Sequence, residues 1–236
     1  MKKFKKLVLL FLTVASFGNA NAQTVDEVIN KYIDAIGGKE KMLALKTIKM
    51  DGAMSVNGLD IGIVTTISGG IGVRTDISVP GMGEGYQIMT PTKGWSYMPF
   101  QGQTSPEEAP ADVVANSQAS LDLQSALLNY KEKGHTVELL GKEKADAVDC
   151  FKIKFTHKNG KVVIYFIDAV NYYRVKVIGK TIINGEETEV ETTYSNFKKT
   201  AEGYVFPFEQ TSIRGTITYS SIEVNKPVDV SIFEVK

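Results

Sequence analysis

The sequence predicts a mainly β chain of the α+β class: one antiparallel meander that curls, a helix before it and a helix inserted into it. Three observations carry this. From Thr47 onward apolar and polar residues alternate through most of the chain, the period of half-buried strands. Gly-containing turn pairs such as Asn57-Gly58, Gly69-Gly70, Asn159-Gly160 and Asn184-Gly185 interrupt that alternation at short intervals. Connections this short join antiparallel neighbours, because parallel strands need long crossovers. Helical spacing holds only near the start and in one middle stretch, and a meander of about ten or more twisted strands curls rather than stays flat.

In chain order, Met1-Lys2-Lys3-Phe4-Lys5-Lys6 is a basic opening, Leu7 to Phe17 is apolar, and Ala20-Asn21-Ala22 fits the small-x-small cleavage rule. This reads as a secretory signal peptide over 1–22, cleaved after Ala22. The apolar run is too short for a transmembrane helix, which needs about 20 apolar residues. The expected mature chain, 23–236, is a single domain in the periplasm or outside the cell. The only cysteine is Cys150, so no internal disulfide is available. With no lipid-attachment Cys at the cleavage point, the mature chain is expected to be soluble, with no anchor of its own. Without Lys2, Lys3, Lys5 and Lys6, the 27 basic residues become 23 against 27 acidic ones, a net charge of −4. Nucleic-acid binding wants a basic stripe, and none is present.

Thr24 to Ile36 reads as a helix with one apolar stripe: Val25, Val28, Ile29, Tyr32, Ile33 and Ile36. Thr24 and Glu27 form a capping-box pair at its start, and Gly37-Gly38 ends it. A short helix over Lys39 to Leu45 leads into the strands. Ile48, Met50, Met54 and Val56 alternate with polar residues, then Ile61, Ile63, Thr65 and Ile67, then Ile71, Val73, Ile77 and Val79. Tyr86 to Phe100 reads as a strand, a turn at Thr92-Lys93-Gly94 and a second strand. Trp95 and Tyr97 project from one face of it. Rings on an open sheet face suit an apolar ligand, and equally an ordinary core. Gln101 to Ala115 reads as a loop. Ser117 to Lys133 reads as the inserted helix, with apolar residues on two sides. Strands resume at Phe151-Lys152-Ile153-Lys154-Phe155 and continue through Tyr173, Val175 and Val177 to Val224.

Nothing here points to an enzyme. His135 and His157, the only histidines, sit in no metal spacing with Cys, Asp or Glu. His157 reads as a solvated strand end and Cys150 as a core thiol. Gly37-Gly38-Lys39 lacks the Walker spacing. Gly81, Gly83 and Gly85 lie between strands with no helix behind them and read as a flexible loop. Glu107-Glu108 and Glu186-Glu187 are loop charges.

Three stretches carry a resemblance to a known family. They are Ile88 to Gln103, with Trp95-Ser96-Tyr97-Met98-Pro99; Gly203-Tyr204-Val205-Phe206-Pro207; and Ile222 to Phe233, with Asn225, Val228, Asp229, Ser231 and Phe233. Together with the element order, they make the chain resemble the LolA family of periplasmic lipoprotein carriers and the wider group of outer membrane lipoprotein-sorting proteins. The resemblance implies a half-open β-barrel whose apolar concave face takes lipoprotein acyl chains or other lipids, under a lid helix, with a second protein or membrane receiving the cargo. It implies no cofactor. One feature departs: those carriers have an Arg-Pro before the Trp hairpin that latches the lid, and Ile71-Gly72-Val73-Arg74-Thr75-Asp76 has none. The alternation then nominates the lining: Ile48, Met50, Met54, Ile61, Ile63, Val73, Ile77, Trp95, Tyr97, Phe151, Ile153, Phe155, Val175 and Val177. Leu121, Leu127 and Leu128 would face it from the lid. On this reading, truncating Trp95 or Leu127 should weaken binding more than stability. A non-enzymatic envelope interaction module with a filled core and no lipid is the other reading of the same fold.

Overall fold

The computed structural model describes residues 23–235 apart from 57, 184 and 185; the expected signal peptide and the Asn57 and Asn184-Gly185 turn residues lie outside them. Helix α1 (Val25–Ala35) begins as the capping box requires. The Glu27 amide donates to Thr24 Oγ1 at 3.2 Å and the Thr24 amide to Glu27 Oε2 at 2.9 Å. Its stripe buries Val28, Ile29, Tyr32 and Ile33. Gly37 and Gly38 end it with positive φ, and the Gly38 amide closes on Ile33 O. The short α2 (Lys39–Ala44) follows.

The strands are β1 (Thr47–Val56), β2 (Leu59–Ser68), β3 (Gly72–Val79), β4 (Gly83–Met89), β5 (Gly94–Tyr97), β6 (Glu107–Glu108), β7 (Thr136–Ala145), β8 (Val148–Thr156), β9 (Val162–Asp168), β10 (Arg174–Ile183), β11 (Glu186–Lys199), β12 (Val205–Ser212) and β13 (Gly215–Val224). They form one 13-stranded antiparallel sheet in the order β6-β5-β4-β3-β2-β1-β13-β12-β11-β10-β9-β8-β7. The first six step outward to one edge. The chain then crosses to the other edge at β7 and steps back until β13 pairs with β1. The edges β6 and β7 do not meet, so the curved sheet stays an open barrel.

The crossing segment departs from expectation. A helix is present, but it is α3 (Ala111–Ser117), followed by a 3₁₀ turn at Gln118–Leu121. The stretch to Lys133 is a series of turns rather than the rest of a long helix. Ser125 and Asn129 take positive φ. The Asp122 carboxylate accepts from the Gln124 amide, and Lys133 Nζ binds Asp122 and the Ser125 carbonyl. Such local side-chain bonds compete with helical ones. Gly83 and Gly85 belong to β4 instead of a flexible loop: a Cβ on Gly85 would lie 2.6 Å from Tyr97 O, so glycine admits β5. The Tyr86–Phe100 hairpin turns through Thr90 and Lys93, leaving Gly94 as the first residue of β5.

One face of the sheet packs against α1 and the 121–130 segment. This core joins Val28, Tyr32 and Ile33 to Phe151, Ile153 and Phe155 of β8, Tyr165 and Ile167 of β9, and Ile222 and Val224 of β13, with Leu127 and Leu128 from above. A smaller cluster on the other face holds Ala145, Cys150 and Phe166, with Val175 and Ile178 against them. The C-terminal turn Val230–Phe233 also lies over the outer face. Phe233 is buried against Gly72, where a Cβ would meet its ring at 2.7 Å.

Candidate functional site

Register decides which candidates share a face. Ile48 pairs with Ile67, Met50 with Thr65 and Met54 with Ile61, while Ile63 pairs with Ile77 and Ile67 with Val73. These align on the face that α1 covers. Across the sheet Phe151 pairs with Ile167, and Ile153 with Tyr165, which pairs with Val177. Trp95 and Tyr97 go to the opposite face, because Tyr97 pairs with Tyr86 and Trp95 with Ile88. There the Tyr97 ring meets Tyr86 at 5.7 Å, and Arg74 stacks on Tyr86. At the sheet edge Trp95 also borders a smaller cleft with Val73 and Met89. Val175 joins the outer cluster.

The inner face holds a cavity of about 450 Å³ between the sheet, α1 and residues 119–126, within the range of roughly 300–1,000 Å³ usual for small-molecule sites. Tyr32 and Ile36 come from α1, Ile48 and Ile67 from the sheet, Leu123 and Ala126 from the crossing segment, and Phe197 and Phe206 from β11 and β12. Of the nominated lining, only Ile48 reaches this space. Phe151, Ile153 and Phe155 are at most 3% exposed and lie in the filled core beneath α1. Leu127 and Leu128 are also packed there, and Leu121 is buried over the β2–β3 turn, its carbonyl accepting from the Gly70 amide.

Among the described residues, Arg174 is the one arginine or lysine side chain on this cavity. Its guanidinium sits 5.2 Å from the Tyr165 ring centre and 5.3 Å from that of Tyr194. Burial opposes its charge, but the surrounding oxygens of Tyr32, Tyr194 and Tyr165 outweigh that opposition, and its pKa moves up. Burial pushes Tyr165 up to about 12. Arg174 is absent from the salt bridges among the described residues; the nearby Asp122 is held by Lys133. Two cation–π contacts offset part of the desolvation, each worth up to about 2 kcal/mol. Local pattern does not mark this residue as a site group, because Tyr173, Val175 and Val177 fit an uninterrupted alternation. A bulge between Arg174 and Lys176 breaks it. Arg174 pairs with Ile167 and Val177 with Tyr165, so both face inward, and the extra residue Val175 is turned out.

His157 also lines the cavity, rather than being a solvated strand end. It packs edge-on to Phe155 and His135, and burial lowers its pKa and that of His135. Among the described residues, no cluster of His, Cys, Asp and Glu could hold a metal ion. Arg74, the nearest residue to the missing Arg-Pro latch, is on the outer face. It pairs with Asp76 and donates to Ile232 O at 3.0 Å, fastening the C-terminal turn instead of a lid.

Solved structures share this fold. A LolA superfamily protein from Nitrosomonas europaea superposes with a TM-score of 0.54 at 16% identity, covering 87% of this chain and 96% of that one. A DUF1329 family protein from Desulfovibrio piger gives 0.58 at 12%, covering 89% and 97%. A domain classed with outer membrane lipoprotein-sorting proteins, from Vibrio parahaemolyticus, gives 0.50 at 14%, covering 88% and 94%. No family model matches the sequence, and no curated protein does. The fold is therefore that of the LolA-like open barrels. Among the described residues, no helix is long and apolar enough to cross a membrane.

Proposed function

We propose that this protein is a non-enzymatic periplasmic carrier or binder of lipid, taking lipoprotein acyl chains or other lipid chains into the cavity beneath α1. The observation that carries this reading is a mainly apolar cavity roofed by α1 and residues 119–126 on the inner face of an open barrel. The LolA-like and lipoprotein-sorting fold neighbours support it. Burying an acyl chain gains roughly 0.8 kcal/mol per CH₂. A ~16-carbon chain would thus gain about 12 kcal/mol gross, reduced by the cost of ordering chain and protein. With such a gain, release requires a second protein or a membrane that holds the cargo more tightly.

Native mass spectrometry of the exported protein, purified gently and followed by organic extraction, tests the reading. A co-purifying lipid or acylated protein is the expected result. A clean unliganded mass, with no uptake of a fluorescent fatty acid, would overturn it. That outcome would leave the fold acting as an envelope interaction module.

A further inference from the structure

Resting on that reading, we infer that the cargo is an amphiphile with an anionic head, which Arg174 binds inside the cavity while the chain lies along the apolar wall. The bulge at Val175 is what turns this cation inward. A regular strand carrying Val177 inward would put residue 174 on the outer face, where solvent would hydrate it.

The groups facing Arg174 do not neutralise it. Tyr32, Tyr165 and Tyr194 surround it with rings and hydroxyls, none of them a carboxylate. Asp122 borders the same cavity but is bound by Lys133 at 2.6 Å. His157 adds no negative charge. The space therefore carries a net positive charge inside an apolar lining. A purely apolar ligand would displace water from the guanidinium and leave it without an anion, which is costly. A head with two or three anionic oxygens matches its fork of donors. Carboxylate and phosphate monoester share that chemistry; a fatty alcohol of the same length does not.

The test is equilibrium dialysis of the mature protein with radiolabelled palmitate, hexadecyl phosphate and hexadecanol, each below its micelle concentration. One or both anions should bind about tenfold or more tighter than the alcohol, and the better anion identifies the head. Arg174→Met should abolish that preference by weakening binding of the anions, with hexadecanol bound at least as tightly as by the unaltered protein, and Arg174→Lys should retain part of the preference. Thermal melts check that each variant is folded. Equal binding of acid, phosphate and alcohol by the unaltered protein would overturn the head-group assignment while leaving the carrier reading standing. So would a preference that survives in Arg174→Met. Failure of all three chains to bind would overturn both.

Discussion

Replacing Leu127 by Ala separates a packed roof from a loose lid. Leu127 is 1% exposed and belongs to the core between α1 and β8. Removing a buried leucine to its Cβ costs roughly 2–5 kcal/mol through lost transfer energy and an unfilled void. Taking about 3 kcal/mol, and roughly 2–4 °C per kcal/mol for a domain of this size, the melting temperature should fall by about 6–12 °C. Leu123 is the control. It borders the cavity and is only half-buried, and a Cβ added at Gly69 would lie 3.5 Å from its Cδ1. Leu123→Ala should cost roughly 1 kcal/mol of stability and lower acyl-chain affinity by about tenfold. The assay is a pair of thermal melts with palmitate binding at 20 °C, where both variants are folded. A Leu127→Ala loss under about 2 °C, or a larger stability loss for Leu123→Ala, would refute the division into core and lining. It would restore the expectation that Leu127 serves the ligand more than the fold.

Gly72→Ala should destabilise by roughly 1–3 kcal/mol, because its Cβ would meet the Phe233 ring. Urea melts should show most of that cost vanishing in a Phe233→Ala background; an undiminished cost would place the strain elsewhere. The two histidines give a pH dependence. Burial lowers both pKa values in the folded state, and neutral His135 Nδ1 accepts from the Lys158 amide. Below the unfolded value of about 6.5 the unfolded chain binds the extra protons. Stability is therefore full above that pH and falls as pH drops through it. Urea midpoints should be lower at pH 5 than at pH 7.5, with a smaller difference in His157→Phe; an unchanged difference in that variant would exclude His157 as a source. Cys150, fully buried and with its thiol pushed up by burial, should resist a thiol-reactive dye until urea unfolds the chain. Rapid labelling of the native protein would contradict that packing.

Elements whose signals are local were legible in the sequence. The α1 stripe, its capping box and its Gly37-Gly38 stop each lie within a few residues of one another, and each appears where expected. Alternation located the strands and put Ile48, Met50, Met54, Ile61, Ile63, Val73 and Ile77 on a common face. Period alone cannot say which face is concave, so it groups Trp95 and Tyr97 with residues on the opposite side. Their assignment depends on pairing with β4.

The sequence by itself determined an antiparallel meander led by a capped helix, because both rest on repeats of two and 3.6 residues along the chain. The tertiary structure decided what the inner face does with that pattern. Helix α1 fills one part of it, so Phe151, Ile153 and Phe155 became core. The 119–126 segment bridges another part and leaves a cavity. A single extra residue at Val175 reversed the local alternation and brought Arg174 inside. Such a bulge exists only relative to the partner strand β9, and a neighbour brought alongside by folding leaves no mark in the alternation of β10 itself.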